Sequence, residues 1–189
     1  PVDAGGTTPG TGTNGGASND TTPRLGGVVS TAEAGGIVRV YDNISGSLVQ
    51  VGSAVVQADG TWSTNSSALT AGTHPLSVTV TDAAGNVSGS TTASVIIDTT
   101  PPAVQLTNTV NNNGTTTVAI TNGGSTNDST PGLSGTAEAG SLVVVRDGQT
   151  VVGSVVAAAN GTWSITTSSL GEGSHTLSVT ATDAAGNVG

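Results

Sequence analysis

The chain has no cysteine, no methionine, no phenylalanine and no lysine, and its only basic residues are three arginines. Each absence closes a class. Without cysteine there are no disulfides and no thiolate metal sites. Without lysine there are no Lys–Asn isopeptide crosslinks. With Arg24, Arg39 and Arg146 set against twelve acids, the net charge is -9, and no basic patch exists to neutralise phosphates. Nucleic-acid binding is therefore not expected. No apolar run reaches the roughly 18 residues of a membrane span, so membrane insertion is not expected. No signal peptide is visible, and targeting information is expected to lie outside these residues.

What is present is glycine, threonine, serine, alanine, valine and asparagine. β-branched residues, glycine and asparagine outnumber the strong helix formers, which predicts an all-β chain with almost no helix. The 189 residues suffice for one large or two small domains.

The sequence repeats itself. NDTTP at 19–23 returns as NDSTP at 127–131, TAEAG at 31–35 returns at 136–140, and GTWS at 60–63 returns at 161–164. LSVT at 76–79 and TDAAGNV at 81–87 return at 177–180 and 182–188. The spacing between copies shortens along the chain, so the first copy carries three extra residues near 26–30 and four near 43–50. A unit of about 100 residues with several short strands reads as a whole β-sandwich.

The boundary falls at Asp98-Thr-Thr-Pro-Pro, where Pro101 and Pro102 cannot extend a ladder. This divides the chain into 1–98 and 99–189. The first module opens on a Gly-rich stretch, 4–18, with no apolar alternation, and is expected to lack an ordinary first strand. Alternation in the second module predicts strands near 103–108, 132–137, 141–147, 150–157, 162–167 and 174–182. The strand at 91–97 of the first module has no counterpart before Gly189, so a neighbouring chain or further residues are expected to supply it. Trp62 and Trp163, each after a DG or NG turn, are expected in the cores, with carbohydrate stacking as the alternative.

The ordered series NDxTPxLSGTAEAG, V-x-V-x-D, (D/N)GTWS, H-x-LSVTxTDAAGNV and DTTPP resembles the bacterial Ig-like repeats of giant secreted adhesins and biofilm-associated proteins. The resemblance covers both modules. It implies two tandem immunoglobulin-like β-sandwich modules, repetition into a stalk, location at the bacterial cell surface, and calcium at module junctions.

The carboxylates give that last expectation a chemical basis. Alternating strand directions place Asp98, Glu138 and Asp183 at the N-terminal end of the second module, near Asn160 and Asn187, with Asp20 and Asp42 at the facing end of the first. Asp3, Glu33 and Asp82 are the matching set one module earlier. Carboxylates gathered this way repel unless a cation joins them, and Ca²⁺ takes six to eight hard oxygen ligands of this kind. Asp59, which matches Asn160, is a weaker candidate. Asp128, Asp147 and Glu172 lie at the distal end. Against this stands the ordinary use of Asp and Asn in turns, through bonds to their own backbone. No EF-hand loop and no GGxGxD repeat occurs.

No nucleophile-elbow, zincin or phosphate-loop pattern is present. His74 and His175 hold the same repeat position, which suits packing or turn capping. The sequence therefore predicts a non-catalytic stalk or fibre module whose partners are neighbouring Ig-like modules of the same chain or of adjacent subunits. The alternatives are a glycan- or host-surface-binding module, and a filament subunit completed by strand donation.

Overall fold

The computed structural model describes residues 14–114 and 116–189. Two compact units meet after Thr99, one spanning Pro1–Thr99 and the other Thr100–Gly189. Both are built from strands, and the only helical element among the described residues is a single 3-10 turn at Thr31–Glu33.

In the first unit the strands are β1 (Ala17–Ser18), β2 (Arg24–Val28), β3 (Ile37–Ile44), β4 (Ser47–Val55), β5 (Thr61–Asn65), β6 (Gly72–Thr81) and β7 (Thr91–Ile97). They form one sheet ordered β1-β7-β6-β3-β4 and a second of β2 and β5. Period-2 alternation makes the sandwich: Val38, Val40, Leu76, Val80, Val95 and Ile97 point inward from the large sheet onto Leu25 and Trp62 of the small one.

The second unit has β8 (Val104–Asn111), β9 (Val118–Ala119), β10 (Gly132–Ala137), β11 (Leu142–Asp147), β12 (Thr150–Val156), β13 (Thr162–Thr166) and β14 (Leu177–Thr182). Its sheets are ordered β13-β10-β8-β9 and β12-β11-β14. Leu133, Val143, Val145, Val152, Trp163 and Ala181 fill the space between them. Trp163 is 3% exposed and Trp62 8%, so both rings are core side chains and neither offers a face to a sugar.

The described first strands of the two units differ; residues 4–13 of the Gly-rich opening, on which the expected lack of an ordinary first strand rests, lie outside the described residues. In the second unit β8 pairs antiparallel with β10. In the first, no strand among the described residues takes that place beside β2; β1 instead runs parallel to β7, with Ala17 opposite Ile96 and Ser18 opposite Ile97.

The structure places both insertions. Gly27 and Gly135 each face a Trp across the ladder, so the copies are still in step there. The three extra residues follow as Val28-Val29-Ser30. They end the strand early and push the TAE of TAEAG into the 3-10 turn, whereas in the second unit Thr136 and Ala137 continue β10. The four extra residues lengthen the β3–β4 hairpin. Its turn is Ser45-Gly46, both at positive φ (52° and 86°), the conformation a two-residue hairpin turn requires.

The predicted last strand of the second unit, 174–182, starts only at Leu177. Its sister β6 starts at Gly72 because β7 pairs with it from Gly72 onward. After β14, Val188 bridges Thr182 and Gly189 exchanges backbone bonds with Ala181. Val87 bridges Thr81 in the same way just before β7 begins.

Candidate functional site

The repeated polar residues fold into three kinds of local site. The first is the TDAAGNV loop. The Asp82 Oδ1 accepts the N–H groups of Ala84 (2.9 Å) and Asn86 (2.8 Å), and its Oδ2 accepts from the Asn86 side-chain amide at 2.8 Å. Asp183 repeats this with Ala185 (2.8 Å) and Asn187 (2.9 Å backbone, 2.8 Å side chain). A tight turn needs its N–H groups satisfied, and one carboxylate does so from inside the loop. The Asn86 amide and the loop N–H groups hold the Asp82 carboxyl below its usual range. At Asp183 partial burial works the other way, and the Asn187 and loop bonds outweigh it.

The second is the short Asx turn before a strand. Asp20 accepts from the Thr22 N–H and hydroxyl, Asp59 from those of Thr61, and Asp128 from those of Thr130. Asn160 does the same for Thr162, so an amide and a carboxylate are interchangeable there. The Asp128 Oδ2 also takes the N–H of Asn112 at 2.8 Å, tying the end of β8 to β10's approach. The Asn112 and Thr130 bonds lower its pKa.

The third is a His–Asp pair. In the first unit His74 on β6 places Nδ1 2.6 Å from Oδ2 of Asp42 on β3, and Nε2 donates to the Thr70 carbonyl at 2.8 Å. A carbonyl only accepts, so Nε2 carries a proton, and a further proton lies between Nδ1 and the carboxylate. Asp42 is wholly buried, and its Oδ1 has no hydrogen-bond partner among the described residues. Burial disfavours charge on His74, but the Asp42 bond, the Thr70 carbonyl and the Asp42 charge together raise its pKa. In the second unit His175 meets Asp147 at 2.7 Å and donates to the Gly171 carbonyl at 3.0 Å. These bonds raise the His175 pKa as well.

The expected metal ligands are dispersed among these sites. Asp82 and Asp183 hold their own loops and Asp20 its own turn. Asp42 is not at the end of the sandwich but inside it, on β3, because His74 offers it a partner there. Glu33 ends the 3-10 turn, and Glu138 is exposed after β10. Asp98 follows β7, its N–H bonded to the Ser18 carbonyl at 2.9 Å. Asp3 lies outside the described residues. Among the described residues no three His, Asp or Glu side chains come together as a group that could hold a metal. Nor is any helix among them long and apolar enough to cross a membrane.

The His–Asp pair is the polar feature the sequence reading did not assemble, although its signal was present. Asp42 and Asp147 close V-x-V-x-D in the two copies, and His74 and His175 open H-x-LSV. Two chemically matched residues recurring together mark a contact between neighbouring strands.

The bacterial Ig-like domain family matches this sequence twice, over residues 4–99 and 103–189. The chain belongs to that family. Among solved structures, this tandem bacterial Ig-like chain is similar to a tetra-tandem repeat in the extending region of a large adhesion protein. The two are 24% identical over 93% of this chain and 47% of that one, with a TM-score of 0.36. It is also similar to the BSP domain of a biofilm-associated protein, at 20% identity over 93% of this chain and 27% of that one, TM-score 0.37. The fibronectin(III)-like modules of Clostridium thermocellum CbhA are 19% identical over 94% of this chain and 86% of theirs, with a TM-score of 0.51. This chain thus spans less than half of the first and about a quarter of the second. The likeness to the CbhA modules, at 19% identity, concerns the fold alone. No curated protein matches the chain.

Proposed function

We propose that this chain is a non-catalytic, load-bearing segment of a bacterial surface adhesin, a spacer that carries tension between parts of a longer fibre. The observation that carries the reading is the parallel pairing of β1 with β7. Tension enters the first unit ahead of β1 and leaves it after β7. Adjacent parallel strands pulled this way are dragged past each other along their own axes. Their hydrogen bonds are loaded together instead of being opened one at a time. The contact is reinforced along its length: Gly15 N–H bonds the Ser94 carbonyl at 2.8 Å, Ile96 N–H the Gly16 carbonyl at 3.1 Å, and Asp98 N–H the Ser18 carbonyl at 2.9 Å. The Asn14 Oδ1 adds a bond from the Ser94 N–H at 2.7 Å. Family membership supports the same reading, and a location at the bacterial cell surface belongs to the proposal.

Calcium belongs to the proposal on the strength of the acid-rich sequence. Its ligands in this reading are drawn from the acids the sequence singles out, Asp98, Glu138 and Asp183 with their matches Asp3, Glu33 and Asp82, completed by backbone and amide oxygens, which Ca²⁺ accepts. Affinity in the extracellular range, on the order of 10⁻⁴–10⁻³ M, is expected. Small-angle scattering in calcium and in chelator tests it. A narrower, more extended distribution in calcium supports stiffening, and superimposable profiles remove calcium from the account.

A further inference from the structure

The β3–β4 hairpin of the first unit reaches two residue pairs beyond its counterpart. Asp42 pairs with Val49 as Asp147 pairs with Thr150, but in the second unit the chain turns there. In the first it continues through Asn43 opposite Leu48 and Ile44 opposite Ser47. The resulting arm is apolar and exposed: Ile44 is 51% exposed, Leu48 60% and Val49 47%.

The arm also lacks the devices that normally blunt a sheet edge. β4 is the outermost strand of its sheet. From Asn43 to Ala58 there is no charged residue and no proline, in a chain of net charge -9. A bulge at Val51 interrupts the ladder further in, and the Val51 carbonyl there is taken by the Ser67 N–H at 2.7 Å. The segment Ser47 to Gln50 lies outside the bulge and has neither protection.

Ladder geometry says which groups are free. A two-residue turn makes Ile44–Ser47 a hydrogen-bonded pair, so Asn43–Leu48 is non-bonded, Asp42–Val49 bonded and Tyr41–Gln50 non-bonded. The N–H and C=O of Leu48 and Gln50 therefore point away from β3. Two such edges are self-complementary when antiparallel. Leu48 then exchanges backbone bonds with the partner's Gln50, and Val49 falls opposite the partner's Val49 on a two-fold axis.

We propose that this arm is a self-association site, at which the first unit of one copy pairs edge to edge with the first unit of a second copy. A second copy is the occupant the edge fits: the pairing uses the same free groups on both sides, and the contact is free of charge in a chain whose net charge is -9. The shorter hairpin of the second unit, with Asp147 and Arg146 at its root, does not share the site. The contact is independent of calcium.

The chain contains no cysteine, so a single introduced thiol reports the register. Val49→Cys places two sulfurs across a non-hydrogen-bonded antiparallel pair, within disulfide reach. Val55→Cys, on the same strand and 54% exposed, is the control. Under mild oxidation in the presence of chelator, Val49→Cys should give disulfide-linked dimer about tenfold faster or more, reflecting the raised effective concentration of paired thiols. Adding Leu48→Lys should bring it down to the control rate. Screening the repulsion with salt should raise the sedimentation coefficient of the unmodified chain with concentration. Equal crosslinking rates at the two positions, or a concentration-independent monomer in high salt, would overturn the proposal.

Discussion

His74 and Asp42 make a 2.6 Å contact with the carboxylate entirely out of water, while the sister residues His175 and Asp147 make nearly the same contact, 2.7 Å, with about a quarter of each side chain exposed. The difference lies in β7, which pairs with β6 and sets Val95 opposite His74. Removing the imidazole strands a carboxylate whose Oδ1 already lacks a partner among the described residues. His74→Ala should therefore cost the first unit about 3–5 kcal/mol, the range for breaking one side of a buried ion pair. His175→Ala should cost the second unit far less, because water can reach Asp147. Chemical denaturation of each variant, followed by the Trp of the affected unit, checks the asymmetry; equal losses would mean that burial does not govern the pair.

Stability should peak in mildly acidic solution. Both histidines have folded pKa values raised above 6.5. Their contribution is fully present below that value and is lost as pH rises through the folded pKa. Asp59, Asp82, Asp128 and Asp183 are lowered below 3.8 in the folded state. Their contribution is present above that value and is lost as pH falls through the folded pKa. Melting temperature between pH 3 and pH 9 should thus rise, pass a maximum between about 4 and 6.5, and fall again. A flat alkaline limb would show that the His–Asp pairs add nothing to folding.

The Gly–Trp contact across β10 and β13 should be intolerant in both directions. A Cβ on Gly135 would fall 2.8 Å from Trp163 Cζ2 and closer still to the Gln105 carbonyl. Gly135→Ala should cost about 1–3 kcal/mol by overpacking, and Trp163→Ala about 3–5 kcal/mol by cavity formation. A Gly135→Ala protein with unchanged melting temperature would place the strand register in error.

Asn160 and Asp59 make the same two bonds to the following Thr N–H and hydroxyl. Asn160→Asp at neutral pH should change stability by less than about 0.5 kcal/mol, and Asn160→Ala should destabilise by about 0.5–2 kcal/mol if the turn resembles a capping site. Thermal melts of the two variants decide whether the side-chain oxygen or the glycine after it holds the turn.

Much of the fold was legible because strand alternation and internal repetition are strong signals. Leu177, Val179 and Ala181 turn inward as their spacing indicates, and GTWS places each Trp in a core. The TDAAGNV loops illustrate where one chain of residues supports two meanings. An Asp followed by two small residues, Gly and Asn looks the same whether its oxygens face a cation or its own backbone; the loop geometry shows the backbone bonds. The burial of Asp42 on β3 is not legible from its own strand, because the histidine it meets lies on β6, 32 residues further along the chain. The β1–β7 pairing could not be read at all, since two residues, Ala17 and Ser18, carry no periodicity.

The central claim, that the first unit bears load through the β1–β7 contact, is tested most directly by pulling the chain from both ends in a single-molecule force experiment. Unmodified protein should show a distinct high-force rupture for the first unit, and Ile96→Pro, which deletes the Ile96 N–H bond to the Gly16 carbonyl, should lower that force while leaving the event of the second unit unchanged. The same rupture force in both proteins, in a variant that still folds, would contradict the account.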